Sequence, residues 1–372
     1  MSPTINDCAR DLELMMRDVR ELVEIESPSG DLDGLATSAA ALQRIISQHL
    51  GSSAQLLPSD AGPHVLWGSE TPKVLLLGHH DTVHPRGSLA GWPFSVEADI
   101  ARGPGIFDML AGIVIAIHAL RHLGAPDEVS MLWTSDEEVG SAASRGHIER
   151  IARSCHAVFV VEPASGDDGN LKLERKGTGM FELVIRGRAA HAGVEPEAGV
   201  NAVVELSHQI PEIIAIAKPE IGTTVTPTLV SGGTTENTVP DLVTLRVDVR
   251  VESLEEASRV TQELHSLTPV LTDSSLELNG AVGRPPMPAS ASAELFSRAQ
   301  RVAQHLGMPK LEGVAIGGGS DGNFTAALGV PTLDGLGAVG ANLHTTDEFI
   351  RIDRLAERTA LLAGLIKTVL DD

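Results

Sequence analysis

The feature that most constrains the fold is a run of apolar residues, Val74–Leu77, that ends at Gly78. Four apolar residues closed by a glycine predict a strand that is buried on both faces of a parallel sheet. His79, His80 and Asp81 follow immediately. Open α/β sheets bind ligands beyond the carboxyl ends of their strands, so these side chains are candidates for a metal or catalytic site. A solvated loop with two adjacent histidines is the alternative that this stretch alone leaves open.

Two further apolar runs end in potential metal ligands. Residues 128–134 lead into three consecutive acids at 136–138, and residues 156–161 lead directly to Glu162. Like charges a few Å apart raise one another's pKa, so a cation among the three acids would stabilise them. A solvated acidic turn is the alternative for that segment. Chance rarely ends three apolar runs in this way, and the recurrence favours a metal site.

Two loops supply further candidates. Asp108 follows a Gly-Pro-Gly segment and precedes a helix predicted over residues 113–123, where capping the helix is its alternative role. His344 lies in the loop segment 341–350. Both residues can add to a ligand set formed at the strand ends.

The candidate set suits zinc chemistry. Two imidazoles and three carboxylates, with spare acids beside them, fit one or two Zn²⁺ ions. Two ions ~3.5–4 Å apart can share a carboxylate and hold a hydroxide between them, and one further acid must stay off the metals to carry the proton. The adjacent acids Glu137 and Glu138 offer that division of roles. In the His79-x-Asp81 spacing, the aspartate can accept the second ring N–H of the histidine, which favours His79 over His80 as the ligand.

Charge and composition restrict the class of partner. The 372 residues carry a formal net charge of −22, which argues against nucleic acid and anionic membranes as partners. An acidic substrate would then need a local cationic group. Cys8 and Cys155 form neither a disulfide framework nor a metal-thiolate motif. The N-terminus lacks the features of a signal peptide, and no apolar run reaches 18 residues, so we expect a cytoplasmic protein without a membrane span.

The pattern of apolar and polar residues changes near residue 175. Alternating apolar and polar residues there predict a half-exposed antiparallel strand. The element order βαββαβ that follows predicts a ferredoxin-like insert. We therefore expect an α/β catalytic domain at residues 1–174 and 283–372, with a mostly parallel sheet flanked by helices. Residues 175–282 would form an inserted α+β domain.

The chain resembles the co-catalytic zinc exopeptidases and deacylases, which include glutamate carboxypeptidase, acetylornithine deacetylase, succinyl-diaminopimelate desuccinylase and aminoacylases. The resemblance covers nearly the whole chain. It rests on GHHDTV (78–83), GPGIFDMLAG (103–112), TSDEEVGS (134–141), VEP (161–163), GRAAHAG (187–193), NTVP (237–240), DVR (248–250), GGGSDG (317–322) and LHTTDE (343–348). One departure is Leu110, where many relatives carry a lysine that is not a metal ligand.

The resemblance implies a catalytic zinc-exopeptidase-like domain that holds two Zn²⁺ per subunit, with Co²⁺ or Mn²⁺ as alternatives. It implies that His79 and Glu162 bind one ion, that Glu138 and His344 bind the other, and that Asp108 bridges them. Asp81 would orient His79, and Glu137 would be the general acid/base.

For the substrate, the resemblance implies a lid and dimerisation role for the insert and a homodimer. His191 would reach the substrate carbonyl, in the same or the partner subunit, with help from Asn237, and Arg250 would bind the substrate carboxylate. A surface ion pair is the alternative role for Arg250. Backbone N–H groups of the glycine-rich turn, at Gly318, Gly319 and Ser320, would contact the same carboxylate. The chain contains no tyrosine, so zinc, His191 and backbone groups must stabilise an oxyanion.

The resemblance is strongest to the glutamate-carboxypeptidase branch. It implies hydrolysis of an amide next to a free carboxylate, in an N-acyl amino acid or a short peptide, with a C-terminal glutamate as one such substrate. An acetylornithine-deacetylase-like or general aminoacylase activity is the alternative. A homologue that binds metal without chemistry is a third possibility, which the presence of Glu137 and of every ligand disfavours.

Overall fold

A computed structural model describes residues 2–372 of the protein, which form two compact units. The first unit contains the chain up to Glu174 together with residues 287–316 and 320–372, and the second contains residues 175–286 and 317–319. The sequence analysis set the insert at 175–282. Its role as a lid and dimerisation domain stays a prediction.

The elements follow one another as α/β in the first unit and as α+β in the second. The strands are β1 (Gln55–Leu57), β2 (His64–Trp67), β3 (Val74–His79), β4 (Ser95–Glu97), β5 (Ile100–Arg102), β6 (Val129–Thr134), β7 (Ala157–Val160), β8 (Leu171–Arg175), β9 (Gly177–Arg186), β10 (Thr224–Gly232), β11 (Leu242–Val251), β12 (Ser275–Arg284), β13 (Gly313–Ile316), β14 (Thr332–Leu333), β15 (Gly340–Ala341) and β16 (Phe349–Arg351). The helices are α1 (Ile5–Ala9), α2 (Leu12–Val23), α3 (Leu32–Leu50), α4 (Ser88–Gly91), α5 (Ala111–Leu123), α6 (Arg145–Ala152), α7 (Ala202–Ala215), α8 (Leu254–His265), α9 (Ala289–His305), α10 (Gly322–Ala327) and α11 (Leu355–Leu370).

The first unit is built on a six-stranded sheet in the order β1-β2-β6-β3-β7-β14. Strands β6, β3, β7 and β14 pair in parallel, whereas β1 and β2 are antiparallel to their neighbours. The sheet is therefore mixed, with its parallel part at the centre. The three apolar runs identified in the sequence are β3, β6 and β7, which are neighbours, so their carboxyl ends meet at one edge of the sheet.

Strand β3 is apolar at every position before Gly78 because both of its faces are covered. Leu75 and Leu77 pack with residues of α6 and α10 on one face. Val74 and Leu76 belong to the larger core cluster, which includes α2, α3, α5, α9 and α11. Helices on both faces of a sheet with a parallel centre make this an α/β fold, as the sequence predicted.

The glycine at the end of β3 is required by close packing. A Cβ atom on Gly78 would lie 2.4 Å from Cε of Met109, closer than two carbon atoms can approach. The backbone N–H of His79 also contacts Sδ of Met109 at 3.4 Å. Because Met109 directly follows Asp108, this contact brings the end of β3 next to the Asp108 turn.

The helix after Asp108 is largely buried in the first unit. All residues of α5 from Ala111 to Leu120 are buried. The segment Ile106–Leu123 has the length and composition of a membrane span, which corrects the sequence-based expectation on that point, but 78% of it is buried inside the protein. A core helix meets the same criteria of length and composition.

The second unit has one antiparallel sheet in the order β10-β11-β9-β12. Its chain order, β9-α7-β10-β11-α8-β12, is the predicted βαββαβ arrangement. Alternate residues of β9 and β11 form a core with α7 and α8. Strand β10 lies at one edge of the sheet.

Candidate metal centre

Polar side chains converge at the carboxyl ends of the parallel strands of the first unit. His79 is the last residue of β3, Glu138 lies in a short helical turn after β6, and Glu162 follows β7. Asp108 lies in the turn before α5, where its own backbone is not helical, and His344 lies between β15 and β16. The three-dimensional arrangement thus brings together all five residues that the resemblance implied as metal ligands.

The two oxygens of Asp108 face different histidines. Oδ1 lies 3.3 Å from Nε2 of His79, and Oδ2 lies 3.2 Å from Nε2 of His344. Glu162 Oε1 is 3.6 Å from Nε2 of His79, and Glu138 Oε1 is 3.4 Å from Nε2 of His344. Asp108 therefore stands between two half-sites, each with one histidine and one glutamate.

These separations fit ligands that surround ions. Metal–ligand bonds of about 2.0–2.2 Å in a tetrahedron place neighbouring ligand atoms roughly 3.3–3.6 Å apart. Among residues 2–372, the buried atoms His79 Nε2, Asp108 Oδ1 and Glu138 Oε1 have no hydrogen-bond partner. Buried polar atoms are normally paired, so three unpaired atoms aimed at common points fit a pair of bound cations.

Another histidine–carboxylate cluster in the same unit has hydrogen-bond geometry instead. Asp18 Oδ2 lies 2.7 Å from Nε2 of His49 and 2.8 Å from Nε2 of His118. Although these groups could also hold a metal by composition, their separations match direct hydrogen bonds and leave no room for an ion between them. The cluster instead joins the helices α2, α3 and α5.

The carboxylates and imidazoles of the centre perturb one another strongly. Burial alone would lower the pKa of His79, but Asp108, Asp81 and Glu162 together raise it well above its ordinary value. Asp108 and Glu138 raise the pKa of His344 to about 10. Burial raises the pKa of Glu138. These pKa directions indicate a concentration of negative charge at the centre, which protons or bound metal ions would offset.

Asp81 is tied to the turn that carries the two glutamates. Its Oδ1 accepts the backbone N–H of Glu137, and its Oδ2 accepts that of Glu138, each at 3.2 Å. Oδ2 also accepts the hydroxyl of Ser29 at 2.7 Å. The predicted contact to His79 is longer: Nδ1 lies 2.9 Å from the Asp81 backbone carbonyl and 3.4 Å from its carboxylate. The backbone carbonyl, rather than the side chain, makes the shorter contact that orients the imidazole.

Glu137 lies beside the His79 half-site. Its carboxylate is within 4.8 Å of ligand atoms of His79 and Glu162, and the residue is 7% exposed. Glu138, the next residue of the same short turn, pairs with His344 at 3.4 Å. His80 points elsewhere: its ring nitrogens contact the Pro63 carbonyl at 3.0 Å and Ser38 at 3.2 Å.

Glu348, which connects the His344 loop to the Asp108 turn, is not among the site residues predicted from the sequence. Glu348 is fully buried. Its Oε1 accepts the backbone N–H groups of Phe107 at 2.7 Å and Asp108 at 3.0 Å, and its Oε2 lies 2.8 Å from Nε2 of His84. Its position after His344 in the LHTTDE segment was visible, but contacts to residues about 240 positions away were not.

The second unit contains the predicted substrate residues. His191 is exposed and forms a bridge with Thr238, next to Asn237. Its Nδ1 accepts the backbone N–H of Gly193 at 3.1 Å, so the ring proton of a neutral His191 is on Nε2. Arg250 donates from Nε and Nη2 to Asp248 at 2.9 and 2.8 Å. Arg250 thus forms the strand ion pair that the sequence analysis kept as its alternative role.

The glycine-rich turn differs from the prediction at one position. Ser320 is fully buried, its N–H donates to Asn323, and its hydroxyl donates to Asp334. This corrects its expected role as a donor to substrate, because both donors are already used. The carbonyls of Gly318 and Gly319 each accept from Nη1 of Arg175 at 3.1 Å, a contact that the sequence analysis did not foresee.

Two half-sites, a buried one at His79 and a more exposed one at His344, are built from histidines and carboxylates with a further glutamate beside them, and this arrangement is that of a metal-dependent hydrolase. The chain matches the model of peptidase family M20/M25/M40 over residues 75–368 and belongs to that family. It is 31% identical to carboxypeptidase G2 of Pseudomonas sp. (strain RS-16) over 95% of this chain and 88% of that protein. It is 26% identical to succinyl-diaminopimelate desuccinylase of Stenotrophomonas maltophilia (strain K279a), over 82% and 87% of the two chains.

The fold is also found in solved structures. An M20 family metallo-carboxypeptidase from Sulfolobus solfataricus superposes with a TM-score of 0.78 at 17% sequence identity, covering 95% of this chain and 99% of that one. The resemblance inferred from the sequence motifs is therefore confirmed, and so is the identification of the protein as a metal-dependent hydrolase.

Proposed function

We propose that the protein hydrolyses an amide or peptide bond next to a free carboxylate, in an N-acyl amino acid or a short peptide. The observation that carries this proposal is the arrangement of Asp108 between His79 and His344 at 3.3 and 3.2 Å. The similarity to a carboxypeptidase and to a desuccinylase supports an amide substrate that carries a carboxylate. A C-terminal glutamate is the preferred residue in this proposal.

We propose that His79 and Glu162 hold one Zn²⁺, that Glu138 and His344 hold the second, and that Asp108 bridges them. Such ions supply a water nucleophile at neutral pH and polarise the carbonyl of the substrate. The donor set of nitrogen and oxygen ligands supports Zn²⁺, Co²⁺ or Mn²⁺ as the metal.

Glu137 would move the proton from the attacking water to the leaving amine. Its carboxylate is close to the His79 half-site, while its backbone is fixed by Asp81 at 3.2 Å. A carboxylate that stays off the metals is free to accept and then return a proton. A homologue that binds metal without catalysing a reaction would not need this proton transfer, so the role of Glu137 distinguishes the proposed enzyme from such a homologue.

His191, Asn237 and Arg250 would recognise the substrate. The Nε2–H of His191 is a donor suited to a carbonyl oxygen that gains negative charge. Asn237 would assist it, since the two residues lie on adjacent backbone segments. The guanidinium of Arg250 would hold the substrate carboxylate and so overcome the net charge of −22.

The second unit would also mediate a homodimer. Strand β10 is a nine-residue edge strand, and it exposes Leu229 (63%) and Val230 (59%). Exposed apolar residues on a long edge strand favour pairing with another chain. A monomer in light scattering at micromolar concentration, unchanged by Leu229→Glu, would contradict this part of the proposal.

The function is tested by a hydrolysis screen. N-acyl amino acids and dipeptides, each with a free or an amidated carboxyl terminus, are incubated with protein loaded with Zn²⁺ or Co²⁺, and amine release is measured. We expect turnover of the free-carboxylate series, loss of turnover on chelation and recovery when metal is restored. Equal turnover of both series would contradict the proposed substrate class, and turnover unaffected by chelation would contradict the metal centre.

A further inference from the structure

A buried lysine lies against the metal centre without any role in the proposed chemistry. Lys172 is on strand β8, is only 7% exposed, and places Nζ 3.7 Å from Oε2 of Glu162. Burying an ammonium group is costly unless it is paired, and a fixed positive charge next to a divalent ion repels that ion. The cost of burying this ammonium group beside a proposed metal ligand therefore indicates that Lys172 has a function there.

The two carboxylate oxygens of Glu162 face different partners. Oε1 lies 3.6 Å from Nε2 of His79, on the side of the proposed ion, and Oε2 lies 3.7 Å from Nζ of Lys172. A carboxylate can bind a cation through one oxygen or through both. An ammonium group at Oε2 favours binding through Oε1 alone.

The backbones of both residues are anchored to the same segment. The N–H of Lys172 donates to the carbonyl of Asp334 at 3.0 Å, and the N–H of Gly337 donates to the carbonyl of Glu162 at 2.8 Å. A Cβ atom on Gly335 would lie 3.0 Å from the backbone nitrogen of Lys172, so this segment packs closely against β8. Residues 334–337 therefore hold Lys172 and Glu162 in a fixed relation.

We propose that Lys172 is a positioning residue that keeps Glu162 bound to its metal through one oxygen. By holding Oε2, the ammonium group leaves one coordination position of the His79 half-site open for the substrate carbonyl. Lys172 also offsets part of the negative charge of the surrounding carboxylates. This inference rests on the metal centre proposed above and adds to it the reason why a cation is buried there.

Cobalt substitution tests the proposal through coordination number rather than activity. Four- and five-coordinate Co²⁺ absorbs visible light more strongly than six-coordinate Co²⁺. In Lys172→Met, the ammonium group no longer faces Oε2 of Glu162 and no longer favours binding through Oε1 alone, so we expect two Co²⁺ per chain with weaker visible absorption per ion. We also expect kcat/KM to fall about 10- to 100-fold, as is typical when a group that orients a metal ligand is lost.

Two variants serve as controls, and a third guards against misfolding. Lys172→Arg keeps the charge and should retain the wild-type spectrum. Lys73→Met removes an equal charge at the opposite end of β3, where Nζ donates to the carbonyl of Leu370, and should also leave the spectrum unchanged. Lys172→Leu, which also removes the donor, replaces the Met variant if that protein is insoluble, and should show the same loss of absorption.

The outcomes separate this inference from the proposed centre. A wild-type spectrum in Lys172→Met, or in Lys172→Leu when the Met variant is insoluble, would overturn the role of Lys172 while the metal centre stands. Wild-type protein that binds no Co²⁺ would overturn both. Weaker absorption in Lys172→Met, with full absorption in Lys172→Arg and Lys73→Met, would support the inference.

Discussion

The carboxylate of Asp81 accepts the backbone N–H of Glu137 at 3.2 Å. Its other oxygen accepts the N–H of Glu138 at the same distance. The aspartate next to the first proposed ligand thus fixes both the proposed proton carrier and a ligand of the other half-site. Asp81 can therefore affect catalysis through the turn that carries Glu137 and Glu138 as well as through His79.

Because both oxygens of Asp81 accept N–H groups, asparagine is not a conservative replacement. In Asp81→Asn, an amide NH₂ would face one of the two donors. We expect Asp81→Asn and Asp81→Ala to lower kcat about 10- to 100-fold and to weaken metal binding. Ser29→Ala, which removes only the hydroxyl donor to Oδ2, should have a smaller effect. Steady-state kinetics and metal titration check this, and a fully active Asp81→Asn would contradict the two-acceptor geometry.

Removing the carboxylate of Glu137 should separate proton transfer from metal binding. We expect Glu137→Ala to lower kcat by about 10²- to 10⁴-fold while both ions remain bound, since general acid–base catalysis contributes effects of that size. Metal analysis of the same sample is the check. Glu149→Ala, which removes an acid paired with Arg145 away from the centre, is the matched control. Full activity in Glu137→Ala would contradict the assigned role.

The strand-end residues of the metal centre could be predicted because their positions follow from local pattern. β3, β6 and β7 each correspond to an apolar run, and a His or an acid lies shortly after the end of each run. Parallel neighbours then bring those ends to one edge. The predicted mostly parallel central sheet agrees with β6, β3, β7 and β14, and β1 and β2 add antiparallel strands on one side of it.

The supporting residues could not be predicted because their contacts depend on segments that only the folded chain brings together. Glu348 contacts Phe107 and Asp108 about 240 positions away, and Lys172 lies near Glu162 where residues 334–337 hold both backbones. A lone acid or lysine in a sequence carries no sign of such a contact. Ser320 shows the converse: its motif predicted an available donor, and tertiary contacts use that donor internally.

Glu348 should control the half-site that contains His344. Glu348→Ala leaves the buried N–H groups of Phe107 and Asp108 without their acceptor, at a cost of about 1–3 kcal/mol for each unsatisfied group. We expect a lower melting temperature and about 10- to 100-fold weaker binding of one of the two ions. Calorimetric titration with Zn²⁺ measures both binding events.

A matched control for Glu348 is Glu357→Ala, because Glu357 pairs with Arg354 at the start of α11 and contacts no proposed ligand. That variant should bind both ions as the wild type does. Two unchanged dissociation constants in Glu348→Ala would show that the His344 loop is held by other contacts.

Arg250 should discriminate between substrates with free and amidated carboxyl termini. Since hydrogen bonds to charged groups contribute about 1.5–3 kcal/mol, Arg250→Ala should lower kcat/KM about 10- to 100-fold for free-carboxylate substrates only. Asp248→Asn tests the alternative, because Asp248 accepts both Nε and Nη2 of Arg250. If the Arg250–Asp248 pair is only structural, each variant will change kcat/KM equally for the free-carboxylate and the amidated substrates. That result would exclude a role for Arg250 in substrate binding.

The Asp18 cluster should make stability depend on pH at a place remote from the chemistry. Burial would raise the pKa of Asp18, but hydrogen bonds from His118 and His49 lower it to about 2 from an ordinary 3.8. A depressed folded-state pKa stabilises the protein above pH 3.8, and that contribution is lost as the pH falls towards 2. A shift of this size corresponds to on the order of 2 kcal/mol at neutral pH.

The comparison of wild type with Asp18→Asn isolates this contribution. In metal-free protein unfolded by urea, we expect the variant to be less stable at pH 7, with roughly half of the difference gone by pH 3 because the unfolded-state carboxyl is then largely protonated. Burial also lowers the pKa of His118, so its protonation in the unfolded state begins to destabilise both proteins below about pH 6.5. A stability difference that stays constant from pH 7 to pH 3 would show that the ionised Asp18 carboxylate does not stabilise the packing of α2, α3 and α5.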